Sequence, residues 1–444
     1  MSDTVKQRDK THFLKDIERL AAKHAPKAFS TARHSGASAF QALAYPDSSM
    51  ETWRHTNVAP LLNIPWASLI EATEKELNEA QLRNHLPPLD MPLRLVFVDG
   101  FYRADLSRTK GLPARAHIGG IANALDRETG ATLQQLLDET PAPRHVFSAL
   151  NNAFLQDGPF IHIPDNCIVD TPIHIVYVSG VRPPRTAAHW RTIIALGNNA
   201  QAQVVQHHIA LPGNATYFNN HVEEIRVGPN ASLNRTEIIL EREQGYRMAI
   251  AGVTLGRDSR FSNRTLTLDG GAITRNEMTT TLTAPHAEAQ LHGLCLNCER
   301  GLVDNDLRIA HLAPHCASRM RYKGVLDGSS RTVFRGMVYV AKDAQKTDSQ
   351  QLTANLTLSR QARIDAKPQL EIYADDVKCA HGATVGGPPE EQVYYLRSRG
   401  IAADRARAML TYGFAGDVAA LTPDAPTRKY LMDYLYDKLR PDSR

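Results

Sequence analysis

The chain has 444 residues, and its 51 lysine and arginine residues against 47 acidic residues leave a formal net charge of only +4. The length is enough for two or three domains or for one long repetitive domain. No run approaches the roughly 18 consecutive apolar residues of a membrane-spanning helix, and no apolar segment typical of a secretory signal follows the charged start. We therefore expect no membrane association and a cytoplasmic location.

Composition also argues against a disulfide-linked fold and against one class of partner. The five cysteines are odd in number and scattered, which argues against a disulfide framework. Nucleic-acid-binding proteins usually concentrate lysine and arginine on one face or in one run, whereas the basic residues of this chain are dispersed. Nucleic acid is therefore not an expected partner.

The first part of the chain, residues 1–158, is expected to form a helical or mixed domain. Apolar residues recur at helical spacing from Phe13 onwards. A second helix is expected from Ser68, because a glutamate follows three residues later in the pattern of a capping box. Alternating residues around a Val-Asp-Gly turn predict a hairpin over 93–107, and two more helices are expected before residue 158.

A fixed repeat dominates the region that follows, residues 159–387. A turn of small and polar residues recurs every 28 to 31 residues from Gly197, and a second series of glycine turns interleaves with it. Strands rich in threonine, valine, isoleucine and leucine lie between the turns. Such a period indicates a solenoid in which each β-coil stacks on the next. The alternative is a β-sandwich, whose turns have no phased repeat.

The last part, residues 388–444, is expected to be a C-terminal helical domain. Two helices with breaks near Gly400 and Gly413 precede a final amphipathic helix from Pro426. The chain is thus predicted to be mainly β, with a solenoid core flanked by helical domains.

The free end of the solenoid is the expected functional region. A stack of coils ends in unpaired N–H and C=O groups that must be capped or paired. The N-terminal helices are available to cap one end, and the strand LEIYADDVKCAHGATVG is the natural place for a partner at the other end. In this strand Val377, Cys379 and His381 share one face, and Gly382 would allow another backbone to approach closely.

A thiolate and an imidazole suit iron–sulfur species, zinc or copper(I). Cys379 and His381 provide only two ligands, so a metal there would take further ligands from a second chain. On residue types alone, a buried cysteine and a hydrogen-bonded core histidine is the more economical interpretation.

A second candidate is the C-x-x-C formed by Cys295 and Cys298. Residues i and i+3 of an extended strand point to opposite faces, and no second C-x-x-C completes a four-cysteine site. Core packing is the preferred interpretation. A metal site stays open as an alternative because further potential ligands fall within one coil: His292, His311, His315 and Cys316. The sequence has no P-loop for ATP and no hydrolase elbow.

Several segments resemble one known family. The run DDVKCAHGATVG, followed by EEQVYYLRSRGI, is similar to the C-terminal signature of the SufD branch of the SufB/SufD family of iron–sulfur cluster assembly proteins. ETWRHTNVAPL looks like the N-terminal E-x-W-R-x-T segment of that family, and the resemblance covers nearly the whole chain. Gly382 matches the SufD branch, since SufB usually has glutamate there. The sequence Gly387-Pro388-Pro389 departs from the family pattern.

The resemblance implies a right-handed parallel β-helix and a scaffold subunit that is not an enzyme. It implies pairing with a SufB-like subunit, or with a second copy, through the β-helix. Residues 388–444 would bind a SufC-like ABC ATPase. A transient iron–sulfur cluster would form at the interface, with His381 as the first candidate ligand of iron or the cluster and Cys379 as the second. Members of the family have been linked to a reduced flavin, and no residues here indicate a flavin site.

Two other functions are weighed against this one. A secreted β-helix enzyme that acts on polysaccharide, such as a lyase, would need clustered catalytic residues on one exposed sheet. A purely structural interaction module would keep Cys379 and His381 as core residues.

Overall fold

The computed structural model describes residues 10–23, 27–71, 77–113, 115–125, 129–139, 143, 145–181, 184–213 and 215–441. The N-terminal part combines short helices with a small number of strands. Its helices are α1 (Thr11–Ala21), α2 (Lys27–Ala42), α3 (Ala59–Leu62), α4 (Glu79–Arg83), α5 (Ile121–Ala124), α6 (Gly130–Asp138) and α7 (Val146–Ala153). Its strands are β1 (Ala67–Ser68), β2 (Leu93–Val98), β3 (Phe101–Tyr102) and β4 (His117–Gly120).

The hairpin predicted over 93–107 is confirmed, since β2 and β3 pair antiparallel. The helix predicted from Ser68 is wrong at its start, because Ser68 lies in β1 and pairs with Ala187. The capping box is instead formed by Asn78 and Gln81 at the start of α4. Part of the predicted helix, residues 72–76, lies outside the described residues.

The predicted solenoid is confirmed, with about seven turns. Its strands are β5 (Pro159–Ile163), β6 (Ile168–Ser179), β7 (Thr186–Leu196), β8 (Gln201–Ala210), β9 (Tyr217–Val227), β10 (Ser232–Leu240), β11 (Gly245–Leu255), β12 (Arg260–Asp269), β13 (Ile273–Leu282), β14 (Glu288–Asn297), β15 (Leu302–His311), β16 (Ala317–Leu326), β17 (Arg331–Val340), β18 (Asp348–Thr357), β19 (Arg363–Ile372) and β20 (Lys378–Gly386). Odd-numbered strands from β5 form one parallel sheet and even-numbered strands from β6 form the other. We call them the odd-strand sheet and the even-strand sheet.

One column of turns shows why the coils stay in phase. In each of seven successive coils one turn residue has a positive φ of 55° to 62°. Asparagine and aspartate tolerate this conformation better than most residues, and they occupy the first four coils. The seven residues are Asn166, Asn199, Asn230, Asp258, His286, His315 and Lys346.

Of the three C-terminal helices, the second and third lie against the outer face of the even-strand sheet, and the first packs on the second. In chain order they are α8 (Glu390–Ser398), α9 (Ala403–Ala419) and α10 (Ala425–Leu439). The break predicted near Gly413 is wrong, because Gly413 lies inside α9. Apolar residues of α9 and α10 pack on outward residues of the sheet such as Leu266 and Leu294. None of the described helices is both long and apolar enough to cross a bilayer.

The ETWRHT segment fastens the N-terminal part to the odd-strand sheet. The Trp53 ring lies 3.9 Å from the guanidinium carbon of Arg275, and the Thr56 hydroxyl donates to Asp304. Glu51 forms an ion pair with Lys367 on β19. The segment therefore spans four strands, from β13 to the last strand of the sheet.

Candidate functional site

The last coil ends in two open strands. Within the described chain, β19 pairs only with β17 and β20 pairs only with β18, so each keeps an unpaired edge. Every residue of β20 except Cys379 and Gly382 is exposed. Large apolar side chains are also exposed around this end, including Tyr373 (61% exposed) and Val385 (55%). An open strand beside exposed apolar side chains is a template for another chain.

The single strand expected over LEIYADDVKCAHGATVG is in fact two strands. Its first residues end β19, a turn follows, and β20 begins at Lys378. Val377 therefore precedes the strand, while Cys379 and His381 share one of its faces because they are two positions apart. Their register partners on β18 are Ser349 and Gln351.

Cys379 is half-buried at the open end of the interior. It packs with Val377 against a small cluster that contains Val338, Val340 and Ala344. Burial raises the pKa of the Cys379 thiol, although the nearby backbone of Ser349 opposes this shift. A partner that brings a cation close to the sulfur would favour the thiolate, which is the form that binds metals.

His381 is exposed, and its imidazole forms no hydrogen bond within the part of the chain that is described. Its register partner Gln351 is buried, and the Gln351 amide donates to the carbonyl of Gly336 at 3.0 Å. The Gln351 carbonyl oxygen has no hydrogen-bond partner among the described residues. An available imidazole therefore lies one strand away from a buried, unused acceptor.

Two models of known protein families match this chain. A family model described as "SUF system FeS cluster assembly, SufBD core domain" matches residues 179–414, and one for the "SufBD protein N-terminal region" matches residues 6–175. The chain belongs to the SufBD family. The resemblance to SufB/SufD proteins is thereby confirmed, and the chain is a SufBD family iron–sulfur cluster assembly protein.

Named relatives of the SufBD family agree with the matches. The chain is 32% identical over 400 residues to an iron–sulfur cluster assembly SufBD family protein of Synechocystis sp., covering 88% of this chain and 87% of the relative. It is 29% identical over 401 residues to iron–sulfur cluster assembly protein SufD of Escherichia coli, covering 89% of each chain. These matches give no support to the alternative of a polysaccharide-acting enzyme.

The C-x-x-C of this SufBD protein does not form a metal site in the described structure. The Cys295 thiol is buried 3.7 Å from the Thr332 hydroxyl, and burial raises its pKa to about 12. Cys298 is exposed in the turn after β14. His311 is buried and contacts the Ser318 hydroxyl at 2.9 Å. No three of the candidate ligands in this region come together among the described residues.

One group of potential metal ligands does lie inside the solenoid. His208, His221 and Glu237 are buried, and one ligand atom of each lies within 4.8 Å of the others. However, the carboxylate of Glu237 already accepts from Arg247 at 2.7 Å and lies 3.2 Å from Arg235. A divalent cation would be repelled by both guanidinium groups, so we interpret this group as part of a structural ion network.

The sequence did not indicate this network or the role of Gln351. The charged residues come from four strands, β8 to β11, that meet by pairing within each sheet and by contact across the interior. Their spacing in the sequence therefore carries no motif. The glycine at position 336 is the sequence feature that could have indicated the role of Gln351. A Cβ at Gly336 would lie 2.0 Å from the Gln351 amide nitrogen.

Proposed function

We propose that this chain is a scaffold subunit, without turnover of its own, of a SufB–SufC–SufD-type complex. The observation that carries the proposal is the open strand β20, which presents Cys379 and His381 at an unpaired edge of the last coil. Strand addition by a SufB-like subunit, or by a second copy of this chain, would satisfy the unpaired backbone groups. A two-fold arrangement would bring the matching strands of two subunits together.

The iron or the nascent cluster is the cargo of this interface. His381 is the first proposed ligand because its imidazole is exposed and has no partner in the described chain. Cys379 is the second, and it requires the partner to lower the pKa of its half-buried thiol. Two ligands leave a tetrahedral iron site incomplete, so the partner would supply the remaining ligands.

The C-terminal helices are the proposed docking surface for a SufC-like ABC ATPase. Tyr394 and Tyr395 on α8 are 72% and 57% exposed. Tyr395 and Leu396 line an apolar groove of about 320 Å³ between α8 and α9. On the other side, Asp417 of α9 holds Lys323 of the even-strand sheet at 2.6 Å. A movement of these helices that follows ATP hydrolysis would therefore pull on β16, which lies two strands from β20 in the same sheet.

Anaerobic reconstitution with iron and sulfide tests the ligands. The chain is co-purified with its SufB-like and SufC-like partners, and the iron and sulfide contents of the complex are measured. We expect His381→Ala to abolish cluster accumulation and Cys379→Ala to reduce it, while the complex remains intact. His34→Ala is the matched control, because His34 is an exposed histidine on α2.

Three outcomes would contradict the proposal at different levels. A His381→Ala complex that accumulates clusters like the original one would exclude His381 as a necessary ligand. Failure of the chain to associate with an ABC ATPase, measured by mass of the purified assembly, would exclude the complex itself. A complex that stays colourless with every variant, the original included, would favour a purely structural module.

A further inference from the structure

Among the residues that the structure describes, buried arginines are paired with carboxylates, with one exception. Burial of an unpaired charge is costly, so paired charges are the rule in protein interiors. Five of the six buried arginines among the described residues follow this rule. The pairs are Arg94 with Glu79, Arg191 with Glu224, Arg235 with Glu223, Arg247 with Glu237, and Arg275 with Asp304 and Asp306.

Arg264 is the exception. It lies on β12, is only 6% exposed, and forms no ion pair with a described residue. Its guanidinium donates to the Ser262 hydroxyl at 2.9 Å and has longer contacts of 3.5 Å with the Ser262 carbonyl and with Asn234. The Arg264 Nε has no hydrogen-bond partner in the described part of the chain. Burial lowers the pKa of Arg264 to about 10, and no charged neighbour opposes the shift.

The unpaired arginine belongs to a column of three donors. Arg264, His292 and Arg321 are register partners on β12, β14 and β16. They lie on the outer face of the even-strand sheet, because each is two positions before an outward residue that contacts the C-terminal helices. Neighbouring strands are about 4.8 Å apart, so Arg264 and Arg321 flank His292 with their backbones about 10 Å from each other.

Unused hydrogen-bonding atoms are concentrated in this column. His292 Nδ1 and Arg321 Nε are buried and, like Arg264 Nε, have no hydrogen-bond partner within the described ranges. Burial, followed by the two flanking arginines, lowers the pKa of His292 to about 4. The carboxylate of Asp417 bonds Lys323 and lies 3.2 Å from Arg321 but forms no ion pair with Arg264. Positive charge therefore exceeds negative charge at this position.

We propose that Arg264, His292 and Arg321 bind a tetrahedral oxyanion of the phosphoryl class on the outer face of the even-strand sheet. Guanidinium groups match phosphate geometry and form strong charge-assisted hydrogen bonds with it. Donors that approach from three strands match the several oxygens of a phosphoryl group better than the two oxygens of a carboxylate. The open side of the site is at Arg321, whose side chain is 39% exposed. The phosphoryl group would come either from inorganic phosphate or from a nucleotide.

Calorimetric titration of the full chain with inorganic phosphate tests the site. Acetate and chloride at matched ionic strength are the reference anions. We expect phosphate to bind measurably more tightly than either anion, and Arg264→Gln or Arg321→Gln to weaken binding at least tenfold. Arg260→Gln is the control, since Arg260 is an exposed arginine on the same strand, 3.7 Å from Glu288. Titration with ADP distinguishes the source, because tighter, Arg264-dependent binding of ADP identifies a nucleotide.

Thermal unfolding separates loss of the site from loss of the fold. In phosphate-free buffer we expect Arg264→Gln to unfold at the same temperature as the original chain or higher, because an unpaired buried charge is removed. Phosphate should raise the unfolding temperature of the original chain and of Arg260→Gln, but not that of Arg264→Gln. Equal effects of phosphate, acetate and chloride on the original chain would overturn the proposal. Arg264→Gln and Arg321→Gln chains that still respond to phosphate would overturn it as well.

Discussion

The position of the buried Gln351 amide depends on the absence of a side chain at Gly336. Gln351 donates to the Gly336 carbonyl at 3.0 Å, and a Cβ on Gly336 would lie 2.0 Å from the donating nitrogen. The amide would have to move, because real Cβ atoms do not approach a nitrogen this closely. Gln351 is also the register partner of His381, so the same displacement would disturb the proposed cluster site.

We therefore expect Gly336→Ala to lower the free energy of unfolding by about 1–3 kcal/mol, the usual range for overpacking a core. Urea denaturation followed by circular dichroism measures the change. Gly252→Ala is the matched control, because Gly252 is also a strand glycine and a Cβ there has no neighbour within 4 Å. Equal stability of the two variants would show that Gln351 is displaced without cost.

At the scale of single elements, β20 combines an unpaired edge with an exposed apolar side chain. Val385 is 55% exposed near the end of this strand. A lysine on an edge strand opposes the addition of another strand, since its charge must be desolvated or face the partner. Replacement of Val385 by lysine should have little effect on the isolated fold, because residue 385 is already exposed.

Val385→Lys is accordingly expected to reduce pairing with a SufB-like subunit or with a second copy, and to leave the unfolding midpoint unchanged. Sedimentation velocity at several concentrations measures the association. Ile168→Lys provides the control, because Ile168 is 51% exposed on a strand at the opposite end of the solenoid. Weaker association with Ile168→Lys but not with Val385→Lys would place the partner at the wrong end for the proposed site.

The elements differ in how far the sequence predicts them. The solenoid was predictable because its turn chemistry repeats at a fixed interval, as in the positive-φ residues Asn199, Asn230 and Asp258. The helix expected from Ser68 was wrong because the local capping pattern is overridden by pairing with β7. Arg264 could not be recognised in advance, because its meaning depends on which carboxylates reach it, and that is decided by register between distant segments.

For the molecule as a whole, the interior is rich in neutral imidazoles. Burial is the main cause that lowers the pKa of five histidines to about 3 or about 4; they are His174, His189, His208, His292 and His311. These groups stay neutral in the folded chain while the unfolded chain binds protons below about pH 6.5. Each therefore removes up to about 1.4 kcal/mol of stability per pH unit as the pH falls through this range.

Two buried carboxyl groups have the opposite effect on how stability depends on pH. Burial raises the pKa of Asp157 and Asp304 to about 6. Their contribution to stability is present at low pH and is lost as the pH rises through about 6, because the folded chain holds these protons more tightly than the unfolded chain. The overall pH profile is the sum of both effects, so a single histidine must be isolated by substitution.

His189 is the most suitable histidine for this test. Its ring stacks on Phe154 at 4.3 Å, and its two nitrogens lie 3.1 Å and 3.2 Å from Ser68 and Asn220, so the neutral form is fully hydrogen-bonded. Glutamine cannot be protonated, so His189→Gln removes this titration from the folded and unfolded states alike. The variant is less stable at pH 7 because the stacking on Phe154 is lost.

The informative quantity is the difference in free energy of unfolding between His189→Gln and the original chain, and how it changes with pH. Urea denaturation of both chains at steps between pH 7 and pH 4.5 should show the stability advantage of the original chain shrinking by about 2–3 kcal/mol, as expected for one histidine over two pH units. His34→Gln is the matched control, because it makes the same substitution at an exposed histidine. A constant difference between His189→Gln and the original chain would mean that His189 takes up a proton in the folded state, and acid sensitivity would then have to come from other groups.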